Sequence, residues 1–437
     1  MRTLDRIAIL ICTLTMALAG MAHRADAQEH WVATWAASPQ APRVNFARPA
    51  QAAPTPAPAP QAQGNQPPPF APPPTLNNQT LRMVVRTSIG GRRARIQLSN
   101  AFGAAPLTVG AAHIALREKG SAIVAGSDRA LTFSGKASFT IPPGAEVLSD
   151  AVDLDVPKLS DLVISVYVPG EAAAPTLHLT GLHTTYISKP GDFTGGASIA
   201  EPTTTQSWYW LSSVDVLAPA DTGLVVAFGD SITDGATSTP DTDRSWPSQL
   251  AQRLQAVDAT AGLAIVNQGI SGNRLLRDGA GVSALARFDR DVASQPGVKW
   301  VIVMEGINDI GVGARTPTEA VTAEDLIAAH KQIIERAHLH GIKAIGATLT
   351  PFQGAAYYSE EGETLRRAVN EWIRTSKAYD AVIDFDAVTR DPENPKQIRP
   401  MYNIRDHLHP NDLGYRVMAE AVDISLFVAK SAVAQSR

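Results

Sequence analysis

A serine that could act as a nucleophile stands at position 231, in the run Gly-Asp-Ser-Ile-Thr-Asp-Gly that directly follows the apolar run 224–228. The glycines at positions 229 and 235 allow a tight turn from a buried strand into a helix, which would expose the hydroxyl of Ser231. Serine is also a common helix N-cap, because its side chain accepts a backbone N–H of the first turn. The motif alone therefore fits a nucleophile and a helix cap equally well.

A base for such a serine is available near the C-terminus, in the run Asp-His-Leu-His-Pro that begins at Asp406. Asp406 and His409 can meet within one turn, so that the carboxylate orients one imidazole nitrogen while the other faces the nucleophile. His407 is the alternative base in the same run. Two histidines beside an aspartate would also suit a metal, but a stable site needs three or four protein ligands. The sequence offers no matching cluster elsewhere, so we predict no metal site.

Two further segments could stabilise the oxyanion of a tetrahedral intermediate. Gly272 lies in the run Asn-Gln-Gly-Ile-Ser-Gly-Asn, where glycine lets a backbone N–H approach a ligand closely. Asn308 lies in the run Gly-Ile-Asn-Asp, and its side-chain amide is a suitable neutral donor. Taken alone, the Gly272 segment also fits an ordinary glycine turn, and a polar turn is the better interpretation of Asn308.

The elements that must position these residues alternate along the C-terminal half of the chain. Short apolar runs without polar alternation occur at residues 224–228, 263–266, 301–304, 344–349 and 381–383. Between them, apolar residues recur at helical spacing over 326–337 and 365–373. This alternation predicts a mostly parallel sheet with helices on both faces. Ligands in such sheets bind beyond the carboxyl ends of the strands, where Ser231, Gly272 and Asn308 all lie.

Four blocks in this order resemble the signature blocks of the SGNH/GDSL hydrolase superfamily, across residues 223–428. The blocks are GDSITDG, NQGISGN, GIND and DHLHP. Ile232 stands where the family's name has leucine, and both residues are apolar. No Gly-x-Ser-x-Gly elbow occurs in the chain, which argues against the α/β-hydrolase fold. The resemblance implies an α/β fold, namely a three-layer αβα flavodoxin-like parallel sheet, the SGNH hydrolase fold.

The resemblance also implies a role for each matching residue. Ser231 would be the nucleophile and would give one backbone N–H to the oxyanion. His409 would be the general base, and Asp406 its orienting partner. Gly272 would give a second backbone donor and Asn308 a side-chain donor. No cofactor is implied.

The preceding part of the chain, residues 28–219, is predicted to be an all-β sandwich or jelly-roll domain. Apolar residues alternate with polar ones over 81–85 and over 94–98, and further short runs follow with turn residues between them. Gly90-Gly91 lies between the first two runs, so we predict a hairpin there. The catalytic domain is expected to span residues 220–437.

A Pro-, Ala- and Gln-rich tract at about 49–75 interrupts the β-rich region. This composition cannot bury enough apolar surface to offset the entropy of ordering, so we predict an extended, mobile insertion. Two short motifs, Trp-Val-Ala-Thr-Trp from Trp31 and Leu-Ser-Asn-Ala-Phe-Gly from Leu98, are similar to those of secreted bacterial two-domain GDSL proteins.

Residues 1–27 have the pattern of a signal peptide. Arg2 and Arg6 precede an apolar run at 7–19, and Ala-Asp-Ala at 25–27 supplies the small residues of a cleavage site. The apolar run is too short to cross a bilayer. The only cysteine, Cys12, lies within it, so the mature chain would have no disulfide. We expect a secreted or periplasmic protein with no membrane association after cleavage.

The composition excludes one class of partner. The formal net charge is −4 and no basic stripe is visible, so we do not expect nucleic-acid binding. Hydrophobic residues make up 44% of the chain and charged residues 18%, which is typical of a globular protein with a large core. The sequence leaves the oligomeric state open.

The expected activity is hydrolysis of a carboxylic ester through an acyl-enzyme, with a small-molecule or polysaccharide ester as substrate. Short-chain or acetyl esters, including those on carbohydrates, fit this expectation. A polysaccharide acyltransferase and a non-catalytic carbohydrate-binding protein remain as alternatives. Trp208 and Trp210 could stack on sugar rings, although the alternation around them favours the core. Tyr357 and Tyr358 follow the run 344–349 and are candidates for lining the pocket.

Overall fold

A computed structural model describes residues 29–41 and 75–428 of the 437-residue chain. The predicted signal peptide with Cys12 lies outside the described residues. So does the Pro-, Ala- and Gln-rich tract, apart from Thr75, which begins a strand. No helix within the described residues is both long and apolar enough to cross a membrane.

Strands dominate the first part of the described chain. They are β1 (Trp31–Ala36), β2 (Thr75–Arg86), β3 (Gly91–Ser99), β4 (Leu107–Val109), β5 (Ala111–Lys119), β6 (Ala122–Ile123), β7 (Arg129–Leu131), β8 (Phe139–Ile141), β9 (Glu146–Leu148), β10 (Val152–Val156), β11 (Asp161–Ala173), β12 (Leu177–His178), β13 (Thr185–Pro190), β14 (Thr203–Thr205), β15 (Trp208–Tyr209) and β16 (Leu211–Leu217).

Most of these strands belong to two antiparallel sheets. The described part of one sheet has the order β1-β16-β3-β10, with β9 also paired to β3. The other has the order β14-β13-β2-β11-β5-β6, with β7 also paired to β5. Apolar side chains of both sheets, such as Leu81, Ile96 and Val214, share one hydrophobic core. This arrangement confirms the predicted β-rich region as a sandwich.

The predicted hairpin around Gly90-Gly91 is wrong. Strand β2 lies between β11 and β13, whereas β3 lies between β10 and β16 in the other sheet. The glycines instead carry the chain from one sheet to the other. A Cβ at Gly90 would lie 2.4 Å from the carbonyl oxygen of Val156, and one at Gly91 would lie 2.7 Å from that of Leu217. Close backbone packing at a corner therefore requires glycine here, and local spacing does not distinguish a corner from a hairpin.

Trp208 and Trp210 are core residues. Their exposed fractions are 7% and 1%, and the indole N–H of Trp208 donates to the carbonyl of Val84 at 2.8 Å. A sugar-stacking platform needs an exposed aromatic face, so that alternative is wrong.

Five parallel strands form the sheet of the second part of the described chain. They are β17 (Gly223–Gly229), β18 (Leu263–Gly269), β19 (Val298–Met304), β20 (Lys343–Ala347) and β21 (Ala381–Ile383). Their order is β18-β17-β19-β20-β21, and every neighbouring pair is parallel. This is the flavodoxin-like order, so the predicted sheet is confirmed.

Helices connect and cover these strands. They are α1 (Ser231–Asp234), α2 (Trp246–Gln255), α3 (Ala284–Phe288), α4 (Ile307–Arg315), α5 (Ala323–Leu339), α6 (Glu360–Thr375), α7 (Phe385–Thr389) and α8 (Asp412–Ala421). Short π and 3₁₀ turns occur at Asp289–Ala293, Pro317–Glu319, Pro400–Tyr402 and Ile424–Phe427.

Both faces of the parallel sheet are buried, which explains why its strands lack polar alternation. On β17, Val226 and Phe228 belong to the core that includes apolar residues of α3, α5 and α6. Val225 and Ala227 point to a second core, formed with α2, α7 and α8. The result is the predicted three-layer αβα arrangement.

The sandwich and the parallel sheet pack directly against each other. Their apolar residues belong to the same hydrophobic cluster. The backbone N–H of Ala33 donates to Pro296 at 3.1 Å, and that of Ile265 donates to the hydroxyl of Ser88 at 3.2 Å. The domain boundary at residues 219 and 220 stays a prediction, because apolar contacts are continuous across it.

Candidate active site

Ser231 lies at the carboxyl end of β17, as the first residue of α1. The N-cap of this helix is Asp230, whose carboxylate accepts the backbone N–H of Ile232 at 2.9 Å. Asp230, and not Ser231, is therefore the N-cap of α1, and the hydroxyl of Ser231 is available for another contact. The helix ends after a single turn at Gly235, whose φ of 98° lies in the left-handed region.

Two strand-end glycines let α1 lie close to the sheet. A Cβ at Gly229 would lie 2.2 Å from the hydroxyl oxygen of Thr233 and 2.6 Å from the carbonyl oxygen of Met304. A Cβ at Gly269, at the end of β18, would lie 2.2 Å from the backbone nitrogen of Asp234. The turn that presents Ser231 therefore depends on glycine at both strand ends.

His409 and Asp406 meet Ser231 from the loop before α8. Nε2 of His409 lies 2.8 Å from Oγ of Ser231, and Nδ1 of His409 lies 2.5 Å from Oδ2 of Asp406. Oδ1 of Asp406 accepts the backbone N–H groups of Leu408 and His409 at 3.0 and 2.9 Å. One carboxylate therefore holds both the imidazole and the backbone that carries it.

The environment of Asp406 favours its ionised form. Burial by itself would raise the pKa of this carboxyl, but the hydrogen bonds and charge interaction with His409 outweigh it. The pKa of Asp406 is therefore held below its ordinary value. The neighbouring histidine, His407, packs against Gly354, where an added Cβ would lie 2.7 Å from the imidazole. Of the two histidines in this run, His409 is the one placed against the serine.

Gly272 lies in the loop formed by residues 270–276, directly beyond β18. Its φ of 82° is in the left-handed region that favours glycine. The loop is anchored to the sheet because the N–H of Ile270 donates to the carbonyl of Gly229 at 3.0 Å. It is also anchored to α4, since Oδ2 of Asp309 accepts the N–H of Leu275 at 2.6 Å.

Asn308 lies in the first turn of α4, beyond β19, with 7% of its surface exposed. Its amide group donates to the carbonyl of Asn273 at 2.8 Å, and its amide oxygen accepts the hydroxyl of Tyr357 at 3.2 Å. These contacts set the orientation of the amide, and its second N–H remains available as a donor. Within the described residues, the backbone N–H groups of Ser231 and Gly272 have no acceptor.

The two tyrosines proposed from the sequence have different positions. The ring of Tyr357 lies against Gly311, where an added Cβ would be 2.3 Å from it, and its hydroxyl contacts Asn308. Burial raises the pKa of Tyr357 well above its ordinary value, so it stays a neutral donor. Tyr358 instead packs on Phe352 and donates to Glu360 at 2.9 Å. Only Tyr357 contacts a candidate site residue.

A buried charge cluster lies beneath the serine, and sequence reasoning missed it. Arg287 of α3 donates to the carbonyl of Gly229 at 2.9 Å and pairs with Glu305 at 3.2 Å and Asp291 at 3.1 Å. Burial raises the pKa of Asp230 to about 7, and it raises that of Glu305 well above its ordinary value. Apart from Arg287 and Asp291, which are four residues apart, the cluster joins residues that are distant in sequence, so local spacing does not indicate the whole cluster.

The arrangement has the parts that acyl transfer needs. A serine hydroxyl contacts an imidazole that is oriented by a carboxylate, and donors from two further strand ends surround it. In residues 29–41 and 75–428, no group of three or more His, Cys, Asp or Glu side chains could hold a metal ion.

Known proteins resemble this chain over its C-terminal half. Residues 225–422 match the family model of GDSL-like lipases and acylhydrolases. An acetylxylan esterase from Geobacillus stearothermophilus is 29% identical over 209 residues, which are 44% of this chain and 89% of that protein.

Solved structures resemble a similar share of the chain. A lipolytic protein of the G-D-S-L family from Desulfitobacterium hafniense DCB-2 is 27% identical, with a TM-score of 0.35, over 45% of this chain and 96% of that chain. A catalytic mutant of an acetylxylan esterase from Geobacillus stearothermophilus is 24% identical, with a TM-score of 0.36, over 46% of this chain and 91% of that chain.

The family match at residues 225–422 includes all four sequence blocks and nearly all of the parallel sheet. Residues 225–422 therefore form a domain of the SGNH/GDSL hydrolase superfamily, and the protein is a serine hydrolase of carboxylic esters.

Proposed function

We propose that the protein is a secreted esterase that removes short acyl groups, above all acetyl groups, from carbohydrate through an acyl-enzyme. The observation that carries the catalytic part of this proposal is the hydrogen-bonded series Asp406, His409 and Ser231. The carbohydrate part is supported by the related acetylxylan esterase.

In this mechanism His409 takes the proton of Ser231 as Oγ attacks the ester carbonyl. Nδ1 of His409 donates to Asp406, so Nε2 is the nitrogen that accepts the proton. The low pKa of Asp406 keeps it ionised, and it stabilises the imidazolium that forms. His409 then protonates the leaving alcohol, and later activates the water that releases the acid.

The oxyanion is stabilised by three donors from three strand ends. These are the backbone N–H groups of Ser231 and Gly272 and the side-chain amide of Asn308. Because Asn273 and Tyr357 already hold both ends of the amide, Asn308 needs little reorganisation during the reaction. Preorganised donors of this kind act mainly on the transition state and therefore on kcat.

Secretion is the second part of the proposal. It is supported by the charged, apolar and small-residue segments of residues 1–27. Expression in a bacterial host, followed by N-terminal sequencing of the protein recovered outside the cytoplasm, tests it. A mature N-terminus at residue 28 is expected, and an uncleaved cytoplasmic protein would contradict it.

A substrate panel tests the activity. We would measure kcat/KM for p-nitrophenyl esters from acetyl to dodecanoyl, and acetate release from acetylated xylan and pectin oligomers. The Ser231→Ala variant is the matched control, because it removes the hydroxyl and leaves the buried backbone unchanged. We expect the acetyl ester and an acetylated oligosaccharide to be the best substrates, with no turnover by the variant.

Other results of these measurements would contradict a particular part of the proposal. A preference for long acyl chains would overturn the acetyl assignment in favour of a lipase. Acyl transfer to a sugar in preference to water would identify an acyltransferase. Turnover by the Ser231→Ala variant, or failure of an organophosphonate ester probe to label Ser231, would overturn the catalytic assignment.

A further inference from the structure

A histidine of the β-rich region reaches the motif that carries the serine. His178, in β12, lies with Nε2 at 3.0 Å from Oδ1 of Asp234, the last residue of α1. Its Nδ1 lies 3.0 Å from the carbonyl oxygen of Ser38, another residue of the β-rich region. Both His178 and Asp234 are almost completely buried.

The two contacts define the state of the imidazole. A carbonyl oxygen and a carboxylate oxygen are both acceptors, so each ring nitrogen of His178 must donate. His178 is therefore an imidazolium that is paired with the Asp234 carboxylate. Burial opposes this charged form, but the charge of Asp234 and the hydrogen bonds to Asp234 and Ser38 outweigh it and raise the pKa of His178.

The second oxygen of Asp234 holds the 270–276 loop. Oδ2 of Asp234 accepts the backbone N–H of Ser271 at 2.8 Å and its hydroxyl at 2.5 Å. The β-rich region also contacts this serine directly, because the hydroxyl of Thr180 lies 3.0 Å from that of Ser271. Gly272, the donor named for the oxyanion, is the next residue, so the peptide that carries its N–H begins at Ser271.

We propose that His178 is a positioning residue for ester hydrolysis, which holds Asp234 and thereby directs the Gly272 N–H towards the oxyanion. This inference rests on the proposed function. It makes the β-rich region part of the catalytic apparatus, since the series from His178 through Asp234 to Ser271 begins in that region and ends next to the Gly272 donor.

His178 can affect the Gly272 N–H because Asp234 contacts both parts of the chain. Its Oδ1 is held by His178 of the β-rich region, and its Oδ2 by Ser271 of the 270–276 loop. Without His178, one oxygen of a buried carboxylate would lose its charged donor. Leaving such an oxygen without a donor is costly, so the carboxylate would rotate towards another partner. This rotation weakens the hydrogen bonds that it accepts from Ser271 and loosens the peptide that precedes Gly272.

His183 provides a matched control within the same region. It is also buried, packs near the same Trp208 ring, and joins the two parts of the chain through an aspartate, with Nε2 at 2.9 Å from Oδ1 of Asp243. The other charged partner of Asp243 is Arg86, which belongs to the sandwich. Removing His183 therefore breaks a comparable contact between the two parts without changing Asp234.

The experiment compares His178→Leu, His178→Gln and His183→Leu in the full chain. For each we would measure kcat and KM on p-nitrophenyl acetate, the Kd of an alkyl boronic acid that forms a tetrahedral adduct with Ser231, and the Tm. For His178→Leu we expect kcat to fall roughly 10- to 100-fold, a part of what loss of an oxyanion donor costs. The boronate Kd should rise by a similar factor while KM stays near the wild-type value.

Glutamine at position 178 keeps a donor for Asp234, so His178→Gln should recover much of kcat. His183→Leu should lower the Tm but leave kcat near the wild-type value. Equal losses of kcat in His178→Leu and His183→Leu, or a change in KM alone, would overturn the positioning role. Neither result would affect the proposed function, which the Ser231→Ala variant, the organophosphonate probe and the substrate panel test separately.

Discussion

Nε2 of His409 lies 2.8 Å from Oγ of Ser231, although 178 residues separate the two along the chain. Ser231 follows the second strand in sheet order, and His409 belongs to a loop that α8 holds against the same end of the sheet. The same loop contains His407, which packs on Gly354 instead. The two histidines are therefore expected to differ sharply in function.

Replacing each histidine by alanine tests this difference. His409→Ala should lower kcat by roughly 10²- to 10⁴-fold, the usual contribution of a positioned general base. His407→Ala should leave kcat near the wild-type value, because its imidazole does not contact the serine. Steady-state kinetics on p-nitrophenyl acetate measure both. The opposite order of activities would show that the base is His407.

The amide of Asn308 should act on the transition state. Asn308→Ala is expected to lower kcat by about 10²- to 10³-fold, which corresponds to roughly 2.7–4 kcal/mol, with little change in KM. Tyr357→Phe removes only the hydroxyl that holds the amide oxygen, so it should give a smaller loss of kcat in the same direction. A rise in KM with unchanged kcat for Asn308→Ala would argue against an oxyanion role.

Asp406 should make the stability depend on pH. Its folded-state pKa is lowered, so its contribution is present above the unfolded-state value of about 3.9 and is lost as the pH falls through the folded-state value. The wild-type protein should therefore be more stable than Asp406→Asn at neutral pH, and the difference should shrink in acid. Urea unfolding of both proteins at about pH 7 and about pH 3 measures it.

Asp258→Asn is the control for this pH series, because Asp258 is exposed and makes no contact with the site. Its stability should follow that of the wild type at both pH values. A constant difference between the wild type and Asp406→Asn across the same range would show that Asp406 does not ionise differently on folding.

Gly269 should be required for the turn that presents Ser231. In Gly269→Ala the new Cβ would meet the backbone of Asp234, which cannot move without shifting α1. We expect this variant to lose both stability and activity. Gly262 is the control, because a Cβ added there would make no such contact: nothing lies within 4 Å of it. Gly262→Ala should therefore keep the wild-type Tm and kcat, and equal behaviour of the two variants would contradict the steric argument.

Arg287 should be essential for stability. Arg287→Met leaves the buried Glu305 without its cationic partner and leaves Asp291 paired only with the partly exposed Arg290. Breaking a buried ion pair from one side typically costs about 3–5 kcal/mol. Urea unfolding measures the free energy. Arg416→Met is the control, because Arg416 and its partner Glu420 are exposed and such pairs contribute little. A loss no larger than that of the control would mean that the carboxylates are protonated in the wild-type protein.

Much of the fold could be predicted from local patterns. The run at 224–228 corresponds to β17, because a strand buried on both faces is apolar throughout. The run at 381–383 corresponds to the edge strand β21. Three of the four blocks lie at strand ends, which the parallel sheet places together, and the fourth, DHLHP, lies in the loop before α8. The hairpin predicted at Gly90-Gly91 was wrong, because these glycines lie where the chain passes from one sheet to the other.

The sequence by itself determined the fold class, the family and the candidate residues Ser231, Gly272, Asn308, Asp406 and His409. Strand burial and short motifs are local properties, and they can be read over a few neighbouring residues. Only the tertiary structure decided that Asp230 caps α1, that His409 and not His407 contacts the serine, and that His178 pairs with Asp234. The cap depends on local backbone geometry that residue types leave open between Asp230 and Ser231. The other two contacts join residues that are far apart in sequence, and that of His178 also requires the β-rich region to pack against the parallel sheet.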